Sequence, residues 1–282
     1  MRLFLSPSHC NMLGNNKDAA ISMYRTRLNF LLLFILVLPT TLRSEVPPGG
    51  EDDILRPVPY TLHIGPYLGG GWVLSQGEFQ TLCDCSYGQG GGLGFQLGFF
   101  ADYPLSKDFS VLVTLGYRLM QPSFDKEESR IEFIETSPGN GDFMEIDFGL
   151  ETTVRVSSIE LGVFGKWNLP LRGLYLAAGP EIGYVIEDNI KETETIVTPG
   201  IGYETHGGRD QVTMDDALDR YYDDAVLRLA LAGRLGYIIP VTDRLAIVPE
   251  LSLMMSLTPV VSDFDDWRLN AFDARVYLRF AI

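Results

Sequence analysis

FDARVYLRFAI, residues 272–282, alternates from its first residue to its last. Phe272, Ala274, Val276, Leu278, Phe280 and Ile282 fall on one face; Asp273, Arg275, Tyr277, Arg279 and Ala281 fall on the other. Successive side chains of a β-strand point to opposite faces, so this segment reads as a strand with one apolar and one polar or small face. Residues 225–237 repeat the arrangement, with Leu227, Leu229, Leu231, Leu235 and Tyr237 opposite Arg228, Ala230, Ala232, Arg234 and Gly236.

Outward from these two segments, the same period predicts strands at about 60–74, 92–104, 109–124 (reaching toward 135), within 145–168, and at 174–188, 225–239, 245–258 and 270–282. The fourth reads as one long strand, because no Gly, Pro or Asn marks a turn at Ser157-Ser158. The connections repeat as well. YPLSKDF (103–109), LPLRGLY (169–175) and IPVTDRL (239–245) each place Pro before Leu or Val and a few turn residues. Pro fixes φ and ends strand pairing, so Pro104, Pro170 and Pro240 mark tight turns. The other connections, roughly 75–91, 136–144, 189–224 and 259–269, are longer. Alternating short and long connections on eight antiparallel strands describe an all-β transmembrane barrel, with periplasmic turns on one side and long acidic surface loops on the other.

A soluble barrel would show the same period with its apolar face inside. Three features favour the membrane. The polar face carries charges of both signs, at Arg118, Glu160, Lys166, Glu181, Arg228, Arg234, Glu250, Asp273, Arg275 and Arg279. Aromatic residues gather on the apolar face near the short turns (Tyr103, Phe109, Trp167, Tyr237) and near the opposite strand ends (Trp72, Tyr184), as interfacial girdles do. The strands also exceed the roughly 9–11 residues that cross a bilayer.

The N-terminal region fits export. FLLLFILVL (30–38) follows Arg25 and Arg27 and precedes Pro39 and a short polar stretch, the layout of a secretory signal with cleavage near Ser44. Met23 gives that signal an ordinary length, so residues 1–22 are expected to precede the true start. The expected organisation is 23–44 signal, 45–59 extension and 60–282 barrel. Loss of residues 1–44 takes five bases and one acid from 22 and 37, leaving 17 bases against 36 acids. Such a chain offers nucleic acid no basic patch.

IELGVFGKWNLPLRGLYLAAGPEIGYVI (159–186) resembles the central hairpin of the PorT-like and OmpA/OmpX-like outer-membrane β-barrel proteins of diderm bacteria. A strand ending in Lys-aromatic-Asn, a Pro turn and a Tyr-x-x-x-Gly-Pro-x-x-Gly-Tyr strand carry the likeness, which extends loosely over 60–282. It implies fold and location in the outer membrane and is silent on activity. Such barrels end in Phe, whereas this chain ends in Ile282 with Phe280 two residues earlier.

Chemistry has few footholds. Cys83 and Cys85, the cysteines that follow the signal, pair with each other in a loop disulfide or stay reduced; no series of Cys or His around them suggests a metal site. GGGW (69–72) and GQGGGLG (88–94) lack the Lys-Ser/Thr of a phosphate loop and suit curved strands or a loop mouth. His63 stands alone on the predicted inward face, and His206 lies in the third long loop near Glu204 and Asp210, so no catalytic group and no cofactor is expected. An eight-stranded interior is narrow enough to fill with side chains, so Glu160, Glu181 and Glu250 are expected to pair with lumenal Arg and Lys. Residues 187–224 hold eleven acids and three bases, and 125–145 seven acids and two bases. Within the former, Thr213 and Asp216 open TMDDALDRYYDD in the manner of a helix cap. The acidic loops suggest contact with lipopolysaccharide phosphates through divalent cations, or with an unidentified protein partner. Two functions remain: a non-enzymatic structural or surface-binding barrel, or a small ion- or solute-conducting channel. N-terminal sequencing of protein from the native envelope should begin close to Glu45; recovery of Met1 would refute the signal.

Overall fold

A computed structural model describes residues 61–80, 86–137, 140–171, 173–202, 210–216, 227–260 and 267–282. Ten strands occur among them: β1 (His63–Gln80), β2 (Ser86–Pro104), β3 (Phe109–Ser137), β4 (Asn140–Asn168), β5 (Leu174–Ile196), β6 (Gln211–Asp216), β7 (Leu227–Tyr237), β8 (Ile239–Pro240), β9 (Leu245–Ser256) and β10 (Arg268–Ala281). The pairings among these strands are antiparallel, and eight strands form the ring β1-β2-β3-β4-β5-β7-β9-β10. The ring closes where β10 pairs with β1, from His63 opposite Ala281 to Gln76 opposite Arg268. β6 adds to the upper part of β5, and β8 is a two-residue pairing beside β9. The chain returns to its starting side, where the Ile282 amide donates to the Leu62 carbonyl at 3.0 Å.

The alternation in the sequence reports the two sides of this wall. Leu229, Leu231, Val276 and Leu278 are exposed, whereas Arg228, Ala230, Arg275 and Tyr277 between them are buried. The apolar side therefore faces outward. Its extent is clearest on β3 and β4. Phe109, Val111, Val113, Leu115, Tyr117 and Leu119 point outward, then Gln121, Ser123, Asp125 and Glu127 take over on the same face. On β4 the outward set from Trp167 to Ile159 is apolar over about nine residues, which matches a bilayer crossing. One register line marks the upper edge: Tyr117 pairs with Ile159, Ile159 with Tyr184, and Tyr184 with Leu227. Tyr103, Phe109, Trp167 and Tyr237 border the short turns at the other edge.

The short turns are closed locally. The Leu105 and Ser106 amides both donate to the Phe109 carbonyl at 2.9 Å, and Thr242 Oγ1 accepts from the Leu245 amide at 3.1 Å. Gly173 adopts φ 86°, a left-handed conformation that suits glycine, and its carbonyl accepts from the Ile238 amide.

The long connections differ most from expectation. Much of their length is sheet: β3 and β4 each run 29 residues and meet near Ser137 and Asn140, and β5 continues to Ile196. GQGGGLG also lies within strand β2, where a Cβ on Gly90 would strike the Phe124 ring at 2.5 Å. Residues 145–168 are indeed part of one strand. The irregularity at Ser157-Ser158 comes from β5, which carries one extra residue at Ile186 between the partners Val185 and Glu187. The helix cap at Thr213 is corrected. Thr213 lies in β6 opposite Thr193, because pairing along β5 outweighs a local four-residue capping pattern. Leu218, Tyr221 and Tyr222 lie outside the described residues, as do Cys83, Cys85, Glu204, His206 and everything before residue 61.

Depth should govern the cost of charge on the outer face. Val163→Arg and Leu231→Arg, inside the apolar band, should each destabilise the folded barrel by about 2–4 kcal/mol, and Thr153→Arg, above the tyrosine line, by about 0–1 kcal/mol. Reversible denaturation in phospholipid vesicles, followed by gel migration before and after heating, measures this. Equal costs at the three positions would refute the assigned band.

Candidate functional site

The inward faces converge on a lumen filled by charged and aromatic side chains. At its centre Arg118, on β3, reaches three strands: Nε donates to Glu160 at 2.6 Å, Nη1 to Asp273 at 2.8 Å and Nη2 to Gln96 at 3.3 Å. Glu181 lies 3.6 Å from the same guanidinium and accepts from Arg234 at 2.5 Å. Arg275 completes the cluster, 3.4 Å from Asp273 and 3.8 Å from Glu181. Glu250 is held chiefly by phenols, since Tyr175 and Tyr277 each donate to one of its oxygens at 2.7 Å; Arg234 and Arg275 stand farther off at 3.9 and 4.0 Å. Arg234 also stacks 3.5 Å from the centre of the Phe164 ring. Burial of this many charges is tolerable because Arg118, Arg234 and Arg275 each meet carboxylates from two or three strands at once.

Toward the short turns, Asp102 is shared by Lys166 at 2.5 Å and Arg279 at 3.3 Å. Arg279 donates to His63 Nδ1 at 3.0 Å, so His63, expected to stand alone, sits beside a cation. A cavity of about 10 Å³, room for one water, is lined by Asp102, Lys166, Tyr175, Tyr277 and Arg279 among others. Toward the long hairpins the filling turns apolar. Tyr87, Phe124 and Trp267 form a chain of rings with centroids 5.6 and 6.5 Å apart, and Trp267 Nε1 donates to Ser75 Oγ at 2.8 Å. Trp267 and Phe124 are almost wholly inaccessible.

All ten charged residues read from the alternation point into this interior. Arg228 differs in its partners. No described carboxylate lies within 4 Å of it; it donates to Ser256 at 3.0 Å, to the Leu269 carbonyl at 3.4 Å and to the Met120 sulfur. Two of those partners, Met120 and Leu269, belong to the apolar cluster that also holds Trp267, so Arg228 lies where the filling turns from charged to apolar. The two tyrosines and Trp267 were not singled out beforehand. Tyr175 and Tyr277 were detectable from their inward parity, but Trp267 falls in the expected 259–269 connection, one residue before β10 begins.

The family model for the outer membrane protein beta-barrel domain matches residues 62–262. The chain belongs to that family. It therefore resides in the bacterial outer membrane. β10, beyond the matched range, supplies the strand that closes the ring. None of the curated proteins matches the chain. Among solved structures it is similar to Ail, the attachment invasion locus protein of Yersinia pestis, at 11% identity and TM-score 0.33 over 77% of this chain and 98% of that one. It is also similar to Neisserial surface protein A (12%, TM-score 0.31, 78% and 99%) and to the outer membrane protease OmpT of Escherichia coli (10%, TM-score 0.31, 82% and 99%).

The distribution of partners ranks the lumenal residues. Glu181→Ala removes a carboxylate that accepts from Arg234 and lies within ion-pair distance of Arg118 and Arg275, and should destabilise the barrel by about 3–5 kcal/mol. Arg228→Met deletes a cation that forms no close ion pair with a described acid, and should change stability by less than about 1 kcal/mol or raise it. Equilibrium denaturation of both variants in detergent tests the ranking; a reversed order would refute it.

Proposed function

We propose that the protein is a non-enzymatic, non-conducting outer-membrane barrel of the PorT-like or OmpA/OmpX-like kind, structural or surface-binding through the acidic sheet that stands above its membrane band. The observation that carries this reading is the centre of the lumen. Arg118 spans from β3 to β10 with contacts of 2.6 and 2.8 Å to Glu160 and Asp273, and Glu181 bridges it to Arg234. An ion crossing the barrel would have to break these pairs and then pass the Trp267–Phe124–Tyr87 stack. The lumenal charges serve to fill and fix the ring.

Export by the 23–44 signal delivers the chain to this location. The outer face just above the tyrosine line is rich in carboxylates, including Asp125, Glu127 and Glu151, at the level where lipopolysaccharide phosphates lie. Divalent cations join the two, as acids and phosphates need a shared counter-charge at close approach. The channel reading draws on the 10 Å³ cavity beside Asp102 and Lys166, which is a single-water space at one end.

Planar-bilayer recording separates the two. The unmodified barrel should show no steady conductance, and Glu181→Ala, which removes the carboxylate that links Arg118, Arg234 and Arg275, should show measurable conductance together with weaker folding. A large steady current through the unmodified protein would overturn the closed-lumen reading.

A further inference from the structure

The β3–β4 hairpin carries an apolar patch where neither bilayer nor core covers it. Ile131 is 74% exposed and Phe143 75%, and Phe133 lies between them, its ring 5.4 Å from that of Phe143. All three point outward: they share alternate positions with Tyr117 and Leu119 on β3 and with Ile159 on β4. The patch is far from the hydrocarbon. Fourteen residues separate Leu119 from Phe133, which at ~3.3 Å per residue is roughly 45 Å along the strand. The other face of the same hairpin already has its core, in Ile134, Ile146, Phe148 and Ile196. The exposed rings are therefore a second apolar surface beside a completed one, and Gly141 is shaped to them: a Cβ there would strike the Phe133 ring at 2.1 Å.

The rim selects the occupant. Glu145 pairs across from Ile131, Asp147 across from Ser129, and Glu127 lies two positions further down β3, all on the outward face. Among the described residues of β3 beside the patch, the cations lie on the opposite face and are engaged: Lys126 pairs with Glu128, and Arg130 lies over the Phe148 ring and bonds Glu194 at 3.2 Å. A second copy of the chain would set identical carboxylates against one another, and an anionic bilayer would be repelled by the same groups. A segment that alternates apolar and cationic residues satisfies both the rings and the rim. We infer that the outward face around Ile131, Phe133 and Phe143 is a docking surface for a cationic amphipathic segment of another protein. This rests on the surface-binding reading above and names the part of the sheet that binds and the chemistry it takes.

The probe is a fluorescein-labelled twelve-residue peptide alternating Leu and Lys, added to the full barrel in phosphatidylcholine nanodiscs, with empty nanodiscs subtracted. Its anisotropy should rise with the unmodified protein. Binding should weaken at least tenfold with Ile131→Ser/Phe133→Ser/Phe143→Ser, and at least tenfold when Ser replaces Leu in the peptide; an alternating Leu/Glu peptide should not bind. Heat-dependent gel migration checks that the variant folds. If the triple change prevents folding, Ile131→Ser/Phe143→Ser keeps Phe133 over Gly141 and should still weaken binding at least threefold. Equal binding by a folded variant or by the Ser/Lys peptide would overturn the inference. So would patch-dependent pairing of nanodiscs, which identifies a second copy, or patch-dependent adhesion to protein-free vesicles, which identifies a membrane. Loss of the peptide result with conductance still absent refutes this surface alone; conductance in the unmodified protein refutes the closed lumen on which the broader reading stands.

Discussion

In hydrocarbon an unpaired backbone N–H or C=O costs several kcal/mol, so a sheet that crosses a bilayer must leave no edge. The pairing of β1 with β10 meets that demand, running from His63–Ala281 to Gln76–Arg268 between the first and last strands of the ring. Everything inside follows from closure at eight strands. The radius brings facing side chains into contact, so the inward positions must be filled, and the charges among them find partners across the lumen, Arg228 alone of the ten meeting a hydroxyl and a carbonyl in place of a described acid. Arg118 and Asp273 meet at 2.8 Å although 155 residues separate them. Such pairs hold only when the ring is complete, which couples the order of the interior to the hydrogen bonds of the wall.

That coupling explains the mixture chosen for the interior. An all-apolar lumen would give every strand two apolar faces and erase the distinction that fixes register, since a one-residue slip exchanges the faces. With Arg228, Arg234, Arg275 and Arg279 at alternate positions, a slip would send guanidiniums into lipid. The cost of burying them is moderated by neutral donors. Tyr175 and Tyr277 hold Glu250 more closely than either nearby arginine does, and Gln96 takes a further donor of Arg118. Phenols and amides satisfy a carboxylate or guanidinium without adding another charge to desolvate.

The same rule of faces decides how much could be read in advance. Along β7, β9 and β10 the outward residues within the membrane band are apolar and the inward ones mostly polar or small, with Val248, Met254 and Leu269 the larger apolar exceptions, and the strand limits fall within a few residues of the expected ones. Above the tyrosine line the outer face meets water, so its alternation is no longer one of hydropathy: Asp125, Glu127 and Ser129 look like loop residues although they are paired with Glu151, Gly149 and Asp147. Register shifts hide the rest. The extra residue at Ile186 changes the inward set of β5 from odd to even numbers, and the shift after Gln76, next to Gly77 at φ 94°, does the same near Tyr87. For the lumen, parity identifies which side chains enter but not their level. Arg228 and Arg234 share a face of β7, yet one meets Ser256 and a carbonyl and the other meets Glu181, because the acids of the neighbouring strands stand at only some heights.

Height is also what makes the wall uneven. β7, β9 and β10 end close to the tyrosine line, at Leu227, Ser256 and Arg268, whereas β3 and β4 continue to Ser137 and Asn140 and β5 carries β6 as an additional strand. Among the described residues the extension does not close into a ring; outside hydrocarbon its edges need not be paired, and it has a core of its own in Ile134, Ile146, Phe148 and Ile196. Beyond that core its outer surface is released from both constraints that govern the barrel. It need not be apolar for lipid, nor paired for a dry interior. Chemistry retained there, as in the rings of Phe133 and Phe143 among carboxylates, answers to neither constraint and is left to be explained by what lies outside the cell.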